Sequence, residues 1–174
     1  LLIVGLAPGL KGANRTGRPF TGDYAGDLLY ATMLEFGFAR GVFAARPDDG
    51  LQLVDAMLAN AVRCVPPQNK PTPAEIASCR PFLIAQMDAM PRLKAILALG
   101  RIAHESTART LGVVPARLPF THGGRHEIAR PGKSSLRLFD SYHCSRYNTN
   151  TGVLTTDMFR SVFRDIRAFI DAAD

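Results

Sequence analysis

"GLAPGLKGANRTGRPFTGDYAG", Gly5 to Gly26, follows the short apolar run Leu1 to Val4 and precedes the first helical pattern of the chain. A connection from strand to helix ordinarily takes a handful of residues. This one takes about twenty and carries glycine at positions 5, 9, 12, 17, 22 and 26. A backbone so rich in glycine can approach a ligand closely and turn N–H groups toward it. It matches neither common phosphate fingerprint, having no Gly-Lys-Ser/Thr ending and no GxGxxG spacing. The order apolar strand, long loop, helix points to a parallel α/β sheet, where binding sites lie beyond the carboxyl ends of the strands.

The rest of the chain repeats that order. Asp23 to Phe36 reads as a helix with Leu28, Leu29, Met33, Leu34 and Phe36 as its apolar positions, and Met57 to Val62 as a second strand. Thr72-Pro73-Ala74-Glu75 combines a cap residue, a proline at the first helical position and an acidic first turn, so a helix starts there and runs toward Met90. Ala95 to Leu99 is a third strand, followed after Gly100 by a helix to about Leu111; Arg137 to Tyr142 is a fourth strand. Thr155 to Ala172 closes the chain as an amphipathic helix. Pro115 to Ser135 is the least regular stretch. Strands alternating with helices predict a sheet covered on both faces. At its carboxyl ends lie the Gly5 to Gly26 loop, "NAVRCVPPQNKPTP" (Asn60 to Pro73) and "YHCSRYNTNTG" (Tyr142 to Gly152).

With 174 residues, 47% of them hydrophobic, one domain spanning 1–174 is the simplest organisation. No apolar run is long enough to cross a membrane, and no secretory leader precedes the first strand. Leu1 already lies inside that strand, so a segment upstream of it is expected in the natural protein. Lys and Arg exceed Asp and Glu by 21 to 15, for a net charge of +6, which suits a polyanionic partner. Solvated helix faces account for the arginines equally well. Three cysteines in no disulfide-like framework indicate a reducing compartment, and hence the cytoplasm.

Several residues in the three clusters admit two readings. Phe20, an aromatic among small and polar loop residues, is either a plug in the core or a platform for a planar base. Asp23 either caps the helix it precedes or sets a carboxylate beside a ligand. Asn60 offers the paired donor and acceptor that suit the edge of a base, or it satisfies buried backbone groups. His143, directly after a strand, is expected to face a ligand.

In order and spacing, "GLAPG", "GANRTGRPFTGD", "NAVRCVPPQNKPTP" and "YHCSRYNTNTG" resemble the uracil-DNA glycosylase superfamily, in particular its family-five branch, close to the iron-sulfur family-four enzymes. The resemblance runs from Leu1 through the last helix. It implies a three-layer α/β/α sandwich with a four-stranded parallel sheet, acting as a monomer on uracil-containing DNA. It implies that Gly5, Leu6 and Ala7 form the base pocket, with Phe20 stacking on a flipped uracil. Asp23 would serve water activation or transition-state stabilisation with Asn69 as helper, and His143 would sit on the base carbonyl. Ser145, Arg146, Tyr147 and Asn148 would form the loop that enters the duplex, and Asn14 and Arg15 would contact DNA from the first loop. No lysine nucleophile stands out, which predicts a hydrolase that does not cut the strand. The other readings of the chain are a catalytically weak DNA-binding module of this fold and a small nucleotide-binding enzyme.

The chain departs from the family pattern in two places. The family-five motif commonly has a small residue where Asn60 stands, so a stronger preference for uracil than the branch's broad activity on deaminated bases such as hypoxanthine and xanthine is expected. Cys144 replaces the proline of the usual His-Pro-Ser, which removes a fixed φ and leaves the cysteine a bystander. Cys64 and Cys79 match two of the four ligands of the family's 4Fe-4S cluster, a group the full-length protein would carry and the hydrolysis itself does not need.

Overall fold

Leu2–Gly5 forms β1, buried at every residue. The computed structural model describes residues 1–130 and 132–172. After β1 come the single-turn helix α1 (Ala13–Thr16), α2 (Tyr24–Glu35), the two-residue strands β2 (Ala39–Arg40) and β3 (Gln52–Leu53), β4 (Met57–Asn60), α3 (Pro73–Asp88), β5 (Ala95–Leu99) and α4 (Arg101–Thr110). They are followed by β6 (Arg125–Arg130), β7 (Lys133–Ser141), the short α5 (Arg146–Asn150) and α6 (Thr156–Ala172). The main sheet runs β4-β1-β5-β7-β6, while β2 and β3 pair separately. The four expected strands are present and mutually parallel.

The parallel strands read as unbroken apolar runs because both of their faces are covered. Ile3, Leu97, Leu99 and Phe139 pack with Leu29, Tyr30 and Met33 of α2 and Phe159, Phe163 and Ile166 of α6. Leu2, Val4, Ile96, Ala98 and Leu138 pack instead with Leu83 and Met87 of α3 and Ala103 of α4. The result is three layers, α/β/α. The start of α3 follows its sequence signature: the Thr72 hydroxyl accepts from Glu75 N–H, the Glu75 carboxylate accepts from Thr72 N–H at 2.6 Å, and Pro73 opens the helix.

A fifth strand adds to the expected sheet. The antiparallel β6 lies inside the stretch that reads as irregular, and its partner β7 begins four residues earlier than expected, at Lys133. "RHEIAR" has one buried apolar residue, Ile128, among exposed Arg125, Glu127 and Ala129. Its alternation is therefore hidden, and its charges suit a sheet edge.

Between β6, β7 and α4 lies a buried polar cluster. The His104 Nδ1 is 2.7 Å from Asp140 Oδ1 and its Nε2 2.8 Å from the Leu118 carbonyl, while His126 Nε2 is 3.1 Å from Asp140 Oδ2. A carbonyl and an ionised carboxylate only accept, so both His104 nitrogens carry protons. Burial works against that charge; the hydrogen bond and charge of Asp140, helped by the Leu118 carbonyl and Glu105, outweigh it and raise the His104 pKa.

Candidate active site

The loop after β1, the end of β4 and the segment after β7 converge beyond the carboxyl ends of the sheet, as such sheets favour. Between them is a cavity of about 450 Å³ lined by Leu6, Ala7, Phe20, Asp23, Asn60, Asn69, His143, Ser145 and Arg146, among others. Three clusters far apart in sequence thus share one pocket.

The floor is built by close approach. A Cβ on Gly5 would stand 2.5 Å from Phe20 Cζ and 2.6 Å from Asn60 Oδ1, so the residue that ends β1 must be glycine for the ring and the amide to meet over it. Asn60 pairs with Gly5 across β1 and β4. Its Oδ1 is buried and has no hydrogen-bond partner among the described residues. An acceptor left in that state costs about 1–3 kcal/mol, so it calls for a ligand or a water to complete it.

Phe20 is 7% exposed and has φ +54°, a left-handed backbone that a bulky residue adopts only under constraint. The constraint is visible. Tyr30 Oη donates to the Pro19 carbonyl at 2.6 Å, and the Arg18 guanidinium makes paired hydrogen bonds of 2.8 and 2.7 Å to Asp49 while lying over the rings of Tyr30 and Phe43. Asp49 is buried, and the Arg18 hydrogen bond holds its carboxyl well below the usual range despite desolvation. This brace joins residues 31 apart in sequence and left no local signal to read. Phe20 is both plug and wall: it packs in the core beneath α2 and presents its ring to the cavity.

Asp23 likewise joins its two readings. Its Oδ1 accepts from Gly26 N–H at 3.2 Å and caps α2. Its Oδ2 packs against the first loop, where a Cβ on Gly9 would come within 3.3 Å and one on Gly12 would overlap it. Burial raises the Asp23 pKa against the lowering effect of the Gly26 and Ala25 N–H groups.

His143 follows β7, with its Cβ against Gly100, where an added Cβ would stand at 3.5 Å. Its ring centroid is 6.4 Å from that of Phe20. Burial lowers its pKa, so at neutral pH the imidazole is uncharged and keeps one N–H to donate. Two residues outside the expected set position it. His122 Nδ1 accepts from Tyr142 N–H at 3.2 Å with the two rings stacked, and Asn148 Nδ2 donates to the His143 carbonyl at 2.8 Å. Asn148, expected in the duplex-entering loop, therefore points back at the histidine.

The rim carries the charge. Asn14 and Arg15 are exposed on α1, away from the cavity wall. Ser145 caps α5, Arg146 lies over the Tyr24 ring at 5.1 Å, and Tyr147 is 73% exposed. Asn69 sits at the mouth with φ +58°, next to Gln68 at +52°. Beside it, Arg63 N–H donates to Cys79 Sγ at 3.4 Å, which sets the Cys79 thiol next to the residue before Cys64. The two cysteines thus adjoin one another in space, Cys64 exposed and Cys79 half-buried, as two neighbouring cluster ligands would. Cys144 is buried, with its thiol against the Ala25 carbonyl at 3.5 Å, and burial pushes it up to about 12.

Fold and pocket together define a three-layer α/β protein whose site suits a planar, polar heterocycle: an aromatic wall, an unpartnered amide oxygen, a neutral imidazole and a carboxylate, within a cationic rim. The family model "Uracil DNA glycosylase superfamily" matches residues 1–167, and the chain belongs to that superfamily. It is similar to the Type-5 uracil-DNA glycosylase of Thermus thermophilus, 42% identical over 96% of this chain and 74% of that protein. It is also similar to that of Mycobacterium leprae, 42% identical over 96% of this chain and 72% of that protein. A Type-4 uracil-DNA glycosylase of Pyrobaculum aerophilum is 34% identical over 82% of this chain and 65% of its own length. No helix among the described residues is long and apolar enough to cross a membrane.

Proposed function

We propose that the chain is a uracil-DNA glycosylase of base-excision repair, hydrolysing the N-glycosidic bond of uracil in DNA and leaving an abasic site. The observation that carries this reading is the unpartnered Asn60 Oδ1 on the pocket floor beside the Phe20 ring. Uracil presents N3–H next to a carbonyl, so Oδ1 accepts the first and the amide Nδ2 donates to the second; cytosine presents an acceptor at N3 and leaves Oδ1 unpaired. The expected preference for uracil rests on this pairing.

The target must leave the stack to reach such a pocket. Flipped in, the base lies against Phe20, paired to Asn60, with the His143 N–H on a ring carbonyl. Cleavage of the bond between base and sugar puts cationic character on the sugar and negative charge on the base. His143 stabilises the departing base without adding a full charge of its own, and the Asp23 carboxylate favours the sugar cation and orients the attacking water, with Asn69 helping at the mouth. Water oxygen bonds to C1′, the C1′–N bond breaks, and the water's proton is released to base or solvent. Ser145, Arg146 and Tyr147, with Asn14 and Arg15, hold the DNA. One chain carries every residue invoked, which supports a monomer, and three free cysteines support a cytoplasmic setting. A 4Fe-4S cluster takes four thiolates; Cys64 and Cys79 supply two of them and would tie the loop after β4 to α3, with no part in the hydrolysis.

Free uracil measured after incubation with a uracil-containing duplex tests the proposal, against an abasic-site standard. Release of uracil together with heat-labile abasic sites is expected; binding without release on any uracil substrate would leave a DNA-binding module instead.

A further inference from the structure

Among the large apolar side chains that stay exposed, Leu10 is the one that both lines the cavity and remains two-thirds uncovered, at 67%. Tyr24 also lines the cavity, but it is 38% exposed and covered by the Arg146 guanidinium. Leu10 is held out by construction. Gly12 N–H and Asn14 N–H both donate to the Gly9 carbonyl, at 3.1 and 3.2 Å, which closes a turn with Leu10 and Lys11 at its tip. The turn is seated on the Asp23 side chain through Gly9 and Gly12. Arg15 Nε donates to the Lys11 carbonyl at 3.1 Å, so two cations stand beside the leucine. An apolar tip between cations gains nothing in the free protein. Against DNA the cations hold phosphates, and the leucine has one apolar place to go, between bases.

We propose that Leu10 is an apolar wedge that enters the base stack from the β1 side of the mouth as the target base turns into the pocket. It stands across the mouth from Tyr147, which projects from the segment after β7. The inference rests on the glycosylase reading above. The wedge replaces stacking lost by the flipped base, so it matters where the stack must be opened and little where it is already open.

The test is single-turnover uracil release by wild type, Leu10→Ala and Leu10→Met from two duplexes with the same flanks, one with uracil paired to adenine and one with uracil in an unpaired bubble. Leu10 is exposed, so its truncation leaves the fold intact. Leu10→Ala is expected to slow release from the paired duplex about tenfold and from the bubble less than about twofold, with Leu10→Met close to wild type. An equal loss on both substrates, or no loss on either, overturns the wedge and leaves the glycosylase reading standing. Failure of wild type to release uracil from either duplex removes that reading and the wedge with it.

Discussion

Asp23→Asn and Asp23→Ala separate two jobs that one side chain holds together. In Asp23→Asn the amide oxygen still accepts from Gly26 N–H, now at 3.2 Å, and asparagine ranks with aspartate as a helix cap. The negative charge facing the cavity is gone. Losing one preorganised group of this kind costs about 3–4 kcal/mol at the transition state, or roughly a hundred- to thousandfold in rate. In Asp23→Ala the rate falls at least as far, and the lost cap costs about 1 kcal/mol of stability in addition.

The pKa direction sharpens the contrast. Burial raises the folded-state pKa of this acid, so the folded protein holds the proton more tightly than the unfolded chain does. As pH rises from the unfolded value, about 3.9, through the folded one, stability falls, and at neutral pH the ionised carboxylate is a standing cost. Asparagine removes that cost, so Asp23→Asn should be at least as stable as wild type while Asp23→Ala is less so. Uracil release under single turnover and urea midpoints near neutral pH give both readouts, and the acid limb of the wild-type rate should lie above the ordinary carboxylate range. An Asp23→Asn protein that loses stability as Asp23→Ala does yet keeps its rate within about tenfold of wild type would falsify the assignment: Asp23 would be a cap and nothing more.

Three further outcomes follow from named contacts. Asn60→Ala should lower uracil release by about a hundredfold through loss of two hydrogen bonds in a dry pocket, and should narrow the ratio of uracil to hypoxanthine excision; an unchanged ratio counts against Asn60 as the selecting residue. Gly5→Ala places a methyl group 2.5 Å from Phe20 Cζ and 2.6 Å from Asn60 Oδ1, so KM for uracil-DNA should rise sharply at a stability cost of about 1–3 kcal/mol, measured by steady-state kinetics beside thermal melts. His104 has a folded pKa raised above its unfolded value, so its contribution is complete below about pH 6.5 and is lost as pH climbs through the folded value. Urea midpoints of wild type and Asp140→Asn should therefore differ more near pH 5.5 than near pH 8.5; equal gaps would mean that His104 stays neutral.

The parallel core was legible because β1, β4, β5 and β7 are apolar enough to be read without knowing their neighbours. β6 was not, since Ile128 alone faces the core and one apolar residue makes no period. The pocket residues were legible where chemistry sits in a short motif, as with Phe20, Asp23, Asn60 and His143. Their supports were not: Arg18 with Asp49, His122 behind Tyr142 and the Tyr30 hydroxyl on Pro19 join segments that only the fold brings together. Asn148 shows the opposite failure, for a residue inside a motif was expected to face outward and instead holds the backbone of His143.

The glycines of the first loop carry the same point further. Their number suggests a pliable backbone that closes on a ligand, yet Gly5, Gly12 and Gly26 are required by contacts already made inside the protein. A Cβ on Gly12 would overlap the Asp23 carboxylate, and one on Gly26 would overlap the Phe20 carbonyl. Gly17 and Gly22, with φ of +75° and +88°, turn the chain between them. The loop is therefore packed around the side chains that line the cavity. Asp23, Phe20 and Asn60 are held in place before substrate arrives, as electrostatic stabilisation of a short-lived sugar cation requires, since groups that had to reorganise during bond cleavage would return much of what they contribute. The length of the connection after β1 is the length of chain needed to build one wall of the pocket and fix it.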